Sequence, residues 1–228
     1  MMMTATNTLT RYEVTIPAGQ VQLAGELVLP ENPKGIVLFA HGSGSSRFSP
    51  RNTYVASFLH QNSIGTLLFD LLTREEDQTY ATRFDIPLLT QRLLAATQWL
   101  RQQPATQHCK LGYFGASTGA AAALQAAAEL PDSVSAVVSR GGRPDLAGER
   151  ALLSVRAPTL LLVGGEDGIV IELNDAAHTV LQCEKKLVIV PGATHLFEEP
   201  GTLEQVARAA ANWFLFYLGN SQSTIPKT

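Results

Sequence analysis

The segment Leu111-Gly-Tyr-Phe-Gly115-Ala-Ser117-Thr-Gly119-Ala-Ala-Ala-Ala-Leu124 sets a serine between a short apolar run and a strong helix-forming run. Its centre fits the pattern G-x-S-x-G, in which a sharp turn from strand to helix lifts a serine hydroxyl above the end of a sheet. Small residues flank the serine because the helix must pass close to the strand, and the alanines that follow favour a helix. The five residues alone are weak evidence in an alanine-rich chain, but with both flanks they predict a nucleophile at Ser117.

Strand-like and helix-like segments alternate on both sides of this turn. This alternation predicts an α/β fold with right-handed crossovers, a mostly parallel central sheet and helices on both faces. The first two strands form an antiparallel N-terminal edge, and the other six are apolar runs of the kind buried on both faces. The predicted strands are Tyr12–Ile16, Val21–Leu29, Ile36–Ala40, Gly65–Leu71, Cys109–Phe114, Val134–Val138, Thr159–Val163 and Leu187–Val190. The predicted helices are Pro50–Gln61, Pro87–Gln102, Thr118–Leu130, Leu146–Leu153, Ala176–Leu181 and Leu203–Leu218.

The length of 228 residues suits one α/β domain. We assign residues 10–219 to that domain, and we expect the polar ends, 1–9 and 220–228, to be flexible tails. The stretch Leu72–Ile86 holds six charged residues, so it is predicted to be a solvated loop rather than an apolar lid. The expected fold therefore has no lid domain.

Composition and charge argue against several classes of protein. Hydrophobic residues make up 45% of the chain and charged residues 16%, which indicates a large core rather than disorder. The net charge of −3 offers no basic surface for a nucleic acid or a membrane. The N-terminus has no basic region followed by an apolar one, so a cytoplasmic location is expected. The two cysteines and the histidines lack metal-ligand spacing, and we expect no metal and no cofactor.

A serine nucleophile needs a histidine base, and in this chain order the base follows the last strand. His195 stands there, while the other four histidines precede the serine or fall inside a predicted helix. The base needs a carboxylate to hold its tautomer. Thr159–Val163 is followed by Glu166 and Asp167, which are both candidates, and Asp145 is a third.

An oxyanion formed at the serine needs two backbone N–H donors. The first is expected from Thr118, the residue after the nucleophile, and the second from the glycine-rich loop that follows Ile36–Ala40. Within that loop Ser43 is the first choice and Gly44 the alternative.

Arg140 lies after another strand, at the same edge of the sheet as Ser117. An arginine there can hold an anionic group of a substrate. It can equally pair with a local carboxylate such as Asp145 or Glu149, which would make it a purely structural residue. Both interpretations stay open at the level of sequence.

Four motifs together resemble the dienelactone hydrolase-like family of the α/β-hydrolases. They are His41-Gly-Ser-Gly44, Gly115-Ala-Ser117-Thr-Gly119, Gly165-Glu-Asp167 and Gly192-Ala-Thr-His195, and the likeness runs from about the first strand to the last helix. The resemblance implies Ser117 as nucleophile, Asp167 as acid and His195 as base. Dienelactone hydrolases proper have a cysteine nucleophile, so a serine here implies a general esterase rather than activity on dienelactone.

The expected function is that of a serine hydrolase that cleaves a small carboxylic ester or lactone through an acyl-enzyme intermediate. A thioesterase or acyltransferase could use the same triad. A catalytically silent small-molecule binding protein is the remaining alternative, and it is disfavoured because such proteins usually lose a member of the triad. We expect a small-molecule substrate and no nucleic-acid or membrane partner, and we leave the oligomeric state open.

Overall fold

The computed structural model of the chain describes residues 8–219 and contains one eight-stranded sheet. The strands are β1 (Leu9–Ala18), β2 (Val21–Pro30), β3 (Ile36–Ala40), β4 (Gly65–Phe69), β5 (Leu111–Ala116), β6 (Val134–Arg140), β7 (Thr159–Gly164) and β8 (Lys185–Val190). Their order in the sheet is β1-β2-β4-β3-β5-β6-β7-β8. β2 pairs antiparallel with β1 and β4, and all other pairs are parallel. The predicted sheet, mostly parallel with an antiparallel N-terminal edge, is confirmed.

Helices cover both faces of the sheet, as the alternation of segments predicts. They are α1 (Pro50–Gln61), α2 (Arg74–Asp77), α3 (Ile86–Gln102), α4 (Thr118–Glu129), α5 (Glu149–Ser154), α6 (Gly168–Val180) and α7 (Thr202–Gly219), with short 3₁₀ turns at Tyr80–Phe84 and Pro144–Ala147. One apolar cluster joins α3, α4, α5 and α6 to one face of the sheet. A second cluster joins α1 and α7 to the other face.

The N-terminal hairpin is longer and its turn tighter than predicted. β1 begins at Leu9, which the sequence analysis assigned to the N-terminal tail, and it pairs with β2 as far as Ala18 opposite Val21. The turn therefore consists of Gly19 and Gln20, and Gly19 has a φ of 69°, a conformation that glycine adopts without steric cost. The remaining residues of the predicted tails, 1–7 and 220–228, lie outside the described part of the chain.

Three local predictions were wrong. The stretch Leu72–Ile86 is not a structureless loop, because it forms α2 and the 3₁₀ turn Tyr80–Phe84. The segment Leu146–Leu153 is divided between a 3₁₀ turn and α5, and Gly148, with φ 81°, stands between them. β8 is an edge strand rather than a central one, and most of its residues are partly exposed because only β7 pairs with it.

The topology brings several functional segments to one edge of the sheet. β3, β5, β6, β7 and β8 are parallel and mutually adjacent, so the loops at their C-terminal ends meet above the same edge. In open α/β sheets, ligands bind at this carboxyl edge. The segments that follow these strands contain Ser43, Ser117, Arg140, Asp167 and His195.

Candidate active site

Ser117 occupies the turn between β5 and α4 in a strained backbone conformation. β5 ends at Ala116, α4 begins at Thr118, and Ser117 has φ 50° and ψ −121°. A residue other than glycine in such a region costs about 1–3 kcal/mol, and the surrounding structure must hold it there. Here the N–H of Ser117 donates to the carbonyl of Arg140 at 3.3 Å, and its own carbonyl accepts from the N–H of Arg143 at 3.1 Å. The serine is thus fixed by the loop after β6.

The glycines beside the serine are required by close approach of backbone to backbone. A Cβ atom added to Gly119 would lie 2.1 Å from the carbonyl oxygen of Ala40, at the end of β3. A Cβ atom on Gly115 would lie 2.4 Å from the Cα of Ala120 in the first turn of α4. The two glycines of the pattern G-x-S-x-G are therefore required because α4 packs so tightly against the ends of β3 and β5.

Asp167 and His195 are joined by a hydrogen bond. The distance from His195 Nδ1 to Asp167 Oδ2 is 2.7 Å, and the side chains are 39% and 16% exposed respectively. With the proton on Nδ1 donated to the carboxylate, Nε2 is left with a free lone pair, which is the form a general base requires. The second candidate, Glu166, is exposed and has no such contact. The third, Asp145, accepts two hydrogen bonds from Arg143, at 2.9 and 2.7 Å.

The loop that carries His195 is held by a carboxylate that sequence reasoning missed. Glu199 accepts from the backbone N–H of Thr194 at 3.0 Å and from its hydroxyl at 2.6 Å. These hydrogen bonds stabilise the ionised form and lower the pKa of Glu199 below its ordinary value. The contact fixes the residue directly before His195. No spacing rule for triads includes this glutamate, so only the folded loop reveals it.

Ser117 and His195 line the same small cavity, whose volume is about 230 Å³. The structure shows no hydrogen bond between their side chains, a contact that often tightens only when substrate binds. The remaining lining residues come mainly from the loop after β3, the start of α1 and the end of β6. They are Gly42, Ser43, Ser45, Ser49, Arg51, Asn52, Ala116, Arg140 and Leu196.

The loop after β3 lies directly against the nucleophile. A Cβ atom on Gly42 would lie 3.0 Å from the Cβ of Ser117, so any side chain here would crowd the nucleophile. Ser43 follows it and lines the cavity that contains Ser117 and His195. Gly44, the alternative donor, lines instead a neighbouring cavity with Arg83. Thr118, the other predicted donor, is the first residue of α4 and is buried.

His41 supports this loop from below and is not exposed to the cavity of the nucleophile. Its Nε2 accepts from the N–H of Leu71 at 3.0 Å, and Nδ1 lies 3.0 Å from the carbonyl oxygen of Gly42. Burial lowers the pKa of His41 and so keeps the ring neutral. Next to it, Asp70 accepts from the backbone N–H of Arg47 at 2.8 Å and pairs with the guanidinium of the same residue. Both residues therefore have structural roles.

Arg140 lines the cavity and has no carboxylate partner among residues 8–219. It is only 7% exposed, and its Nε and Nη1 atoms are buried without a hydrogen-bond partner. Burial, with a smaller contribution from Arg51, lowers the pKa of Arg140 to about 10, so the group remains a cation at neutral pH. Its predicted structural partner, Asp145, is bound to Arg143 instead. Sequence reasoning missed Arg51, Ser49 and Asn52. Nothing in the sequence at the start of a helix indicates that this start faces a nucleophile about 65 residues further along the chain.

The described part of the chain has neither a candidate metal site nor a candidate membrane span. No group of three or more His, Cys, Asp or Glu side chains there could hold a metal ion. No helix between residues 8 and 219 is long and apolar enough to cross a bilayer.

Comparison with known proteins agrees with the fold. The sequence profile of the dienelactone hydrolase family matches residues 24–216. The crystal structure of a dienelactone hydrolase from Anabaena variabilis is similar with a TM-score of 0.89 and 59% identity, covering 92% of this chain and 98% of that one. The esterase domain of a Rhodothermus marinus protein has a TM-score of 0.74 at 23% identity, over 93% of this chain and 100% of the other, which bears on the fold alone.

A curated relative from Mycobacterium tuberculosis is 60% identical over 206 residues and carries the provisional name of a phosphoribosyl transferase. The alignment covers 90% of this chain but 46% of that protein, so the chain spans about half the length of this relative. The profile match over most of the sequence shows that the chain belongs to the dienelactone hydrolase family.

Proposed function

We propose that the protein is a serine hydrolase that cleaves small carboxylic esters or lactones through an acyl-enzyme intermediate. The observation that carries the proposal is the 2.7 Å hydrogen bond from His195 to Asp167 at the rim of a cavity that also contains the strained Ser117. A nucleophile, a base and an acid that orients the base are the three groups that acyl transfer through serine requires.

In the proposed reaction, Ser117 Oγ attacks the substrate carbonyl and passes its proton to His195 Nε2. The resulting oxyanion accepts hydrogen bonds from the N–H groups of Thr118 and Ser43. His195 then gives the proton to the leaving alkoxide, which departs as an alcohol. A water molecule, deprotonated by the same histidine, attacks the acyl-enzyme. His195 returns that proton to Ser117 Oγ as the bond to the serine breaks and the acid is released. Throughout, Asp167 stabilises the imidazolium and is not itself protonated.

The alternatives use the same residues. A thioester in place of an ester would undergo the same steps, and an alcohol in place of the second water would make the reaction an acyl transfer. A silent binding protein would need none of the three side chains to be reactive. The name of the Mycobacterium tuberculosis relative belongs to a longer protein, of which this chain matches about half.

The proposal is tested with a fluorophosphonate probe, which reacts quickly only with an activated serine. The wild-type protein should gain the mass of one probe molecule less hydrogen fluoride, and Ser117→Ala should neither label nor turn over p-nitrophenyl acetate. The loss in kcat should be about 10⁴-fold or more, as in other enzymes that lose the nucleophile of a triad. Ser57→Ala, which removes an exposed hydroxyl from α1, is the matched control and should behave as wild type. Normal labelling of Ser117→Ala in intact-mass spectra would refute the proposal.

A further inference from the structure

The cavity that contains Ser117 has a positively charged wall that the chemistry at the serine does not use. Arg140, at the end of β6, and Arg51, in the first turn of α1, both line it, and its lining includes no aspartate or glutamate. The two acids that contact residues of this lining are already engaged in the described part of the chain. Asp167 is hydrogen-bonded to His195, and the exposed Glu198 lies 3.1 Å from Arg51 outside the lining.

The guanidinium of Arg140 has buried nitrogens without a hydrogen-bond acceptor, as expected of a group that binds an anionic ligand. Two of its three nitrogens, Nε and Nη1, are buried with no partner, and the group is 7% exposed. A buried cation that lacks a partner is strongly unfavourable, so such groups normally have an anion close to them. The ring of Phe197 lies 5.9 Å from the guanidinium carbon, which is at the far limit of a cation–π contact and does not replace an anion.

The beginning of α1 adds further groups that favour an anion. α1 has 12 residues, and its N-cap Ser49 as well as Arg51 and Asn52 line the cavity. The positive end of a helix dipole favours an anion. Pro50 has no N–H and the N–H of Asn52 donates to the Ser49 hydroxyl, so the contribution of α1 comes from its dipole and the side chains of its first turn. Arg51 Nε is also buried without a partner. The amide of Asn52, whose oxygen has no partner here, can donate when it is turned over.

We propose that Arg140, Arg51 and the start of α1 form a subsite for a phosphate group carried by the substrate. This inference rests on the proposed hydrolysis at Ser117 and names its substrate class, a short ester or lactone that bears a phosphate. Two arginines that face one cavity repel each other, and a dianion relieves that repulsion better than a single carboxylate does. The donors also come from different elements, β6 and α1, so they surround a tetrahedral group rather than facing one edge of a planar group.

The small volume of the cavity puts the phosphate close to the reacting carbonyl. The backbone carbonyl of Arg140 accepts from the N–H of Ser117, and Arg140 is paired with Ala116 across the two strands. A cavity of about 230 Å³ must then contain both the phosphate and the scissile bond. The substrate is therefore compact, with few atoms between the two groups.

Direct binding to Ser117→Ala protein tests the subsite without any catalysis. Isothermal titration should detect binding of inorganic phosphate and of glycerol 3-phosphate, binding of glycerate at least tenfold weaker, and no binding of glycerol. Equal affinity for glycerate and glycerol 3-phosphate would replace the phosphate subsite by a carboxylate subsite. No binding of either anion would refute the inference altogether, and if wild-type protein still hydrolysed p-nitrophenyl acetate, the proposed function would stand alone.

Variants in the same Ser117→Ala background assign the residues. Arg140→Gln and Arg51→Gln should each weaken binding of glycerol 3-phosphate at least tenfold, and the second tests the subsite even if the buried Arg140 proves necessary for folding. Arg143→Gln, whose guanidinium is paired with Asp145, is the matched control and should bind normally. Glu198→Gln removes the carboxylate that competes for Arg51 and should strengthen binding about threefold, whereas Glu204→Gln on α7 should not. Unchanged affinity in both arginine variants would overturn the assignment.

Discussion

At the scale of single residues, the candidate site separates two acids that are neighbours in sequence. Asp167 is the N-cap residue of α6 and its carboxylate turns toward His195, while Glu166 is exposed at the preceding position. The backbone N–H of Glu166 donates to the carbonyl of Ala193 at 2.9 Å, which ties this turn to the loop that carries the histidine. Of these two consecutive acids, only Asp167 is therefore positioned to hold the tautomer of His195.

Asp167→Asn should lower kcat about 10⁴-fold, because an amide can donate to the histidine and favour the wrong tautomer. Glu166→Gln, the matched control, should stay within about threefold of wild type, as surface substitutions away from such contacts usually do. The measurement is kcat and KM for p-nitrophenyl acetate with purified protein whose circular dichroism matches wild type. Similar losses in the two variants would show that the acid has been assigned wrongly.

The sequence predicts the nucleophile and the base because each is tied to a local pattern. Ser117 needs small residues on both sides, and His195 needs a loop after the last strand. The choice between Glu166 and Asp167 needed the resemblance to a family, since both follow the same strand. The surroundings of Arg140 could not be predicted, because they depend on α1, whose start is brought to the site only by the packing of α1 and α7 on one face of the sheet.

At the scale of elements, the predicted strands and helices were right where burial decides the structure. They were wrong where the structure depends on local interactions such as helix capping. The central strands were found as continuous apolar runs. α2 was missed although Thr73 and Glu76 form a capping box, in which each side chain accepts from the backbone N–H of the other residue. α6 begins at Gly168, eight residues before the predicted start at Ala176, because the run Ile169-Val-Ile171 favours a strand by propensity, which tertiary packing overrides.

The contact between α4 and β3 yields a prediction about stability. Gly119→Ala should destabilise the protein by about 3 kcal/mol or more, because the added methyl group overlaps a backbone carbonyl that cannot move aside. Gly168→Ala is the control, since a Cβ there meets nothing within 4 Å, and it should be neutral or slightly stabilising. Urea denaturation at neutral pH measures both. If Gly119→Ala unfolds at the wild-type midpoint, α4 does not pass β3 as closely as described.

His60, near the end of α1, makes the stability depend on pH. The residue is 6% exposed and its Nε2 lies 2.7 Å from the hydroxyl of Thr66 on β4. Burial, with a contribution from Arg11, lowers the pKa of His60 from 6.5 to about 4. The unfolded chain then binds a proton more readily than the folded one, so the stabilisation is complete above pH 6.5 and declines as the pH falls toward 4.

We expect this histidine to account for a loss of up to about 2 kcal/mol between pH 8 and pH 5. The free energy of unfolding should be measured by urea titration for wild type and His60→Gln at both pH values. The variant should be less stable at pH 8, and the difference between the two proteins should shrink at pH 5. A difference that stays constant would mean that His60 does not couple protonation to folding.

At the scale of the whole molecule, the two helical layers of residues 8–219 lie on the faces of the sheet, and no helix of that range is assigned to its carboxyl edge as a lid. The segment between β4 and α3, where a lid could be inserted, is held down by ion pairs. Arg92 of α3 binds Glu76 at 2.6 Å, and Arg83 binds Asp77 at 2.9 Å. The predicted absence of an apolar lid therefore agrees with the described residues, although the segment is helical rather than a loop. Its charged side chains belong to a fixed structure beside the site.

This architecture limits the size of the acyl group that the protein can use. A cavity of about 230 Å³ contains space for a few carbon atoms beyond the carbonyl, and longer chains would extend into water. Each methylene that is buried contributes about 0.8 kcal/mol, or roughly a fourfold gain in kcat/KM, whereas a methylene left in water contributes nothing. Across p-nitrophenyl esters from acetyl to palmitoyl, kcat/KM should therefore be highest for the short chains and fall beyond about butyryl. The rate should also show no jump above the micellar threshold, because the described residues contain no apolar lid for an interface to open. A steady rise toward palmitoyl, or interfacial activation, would require an extended acyl groove that the cavity next to Ser117 does not provide.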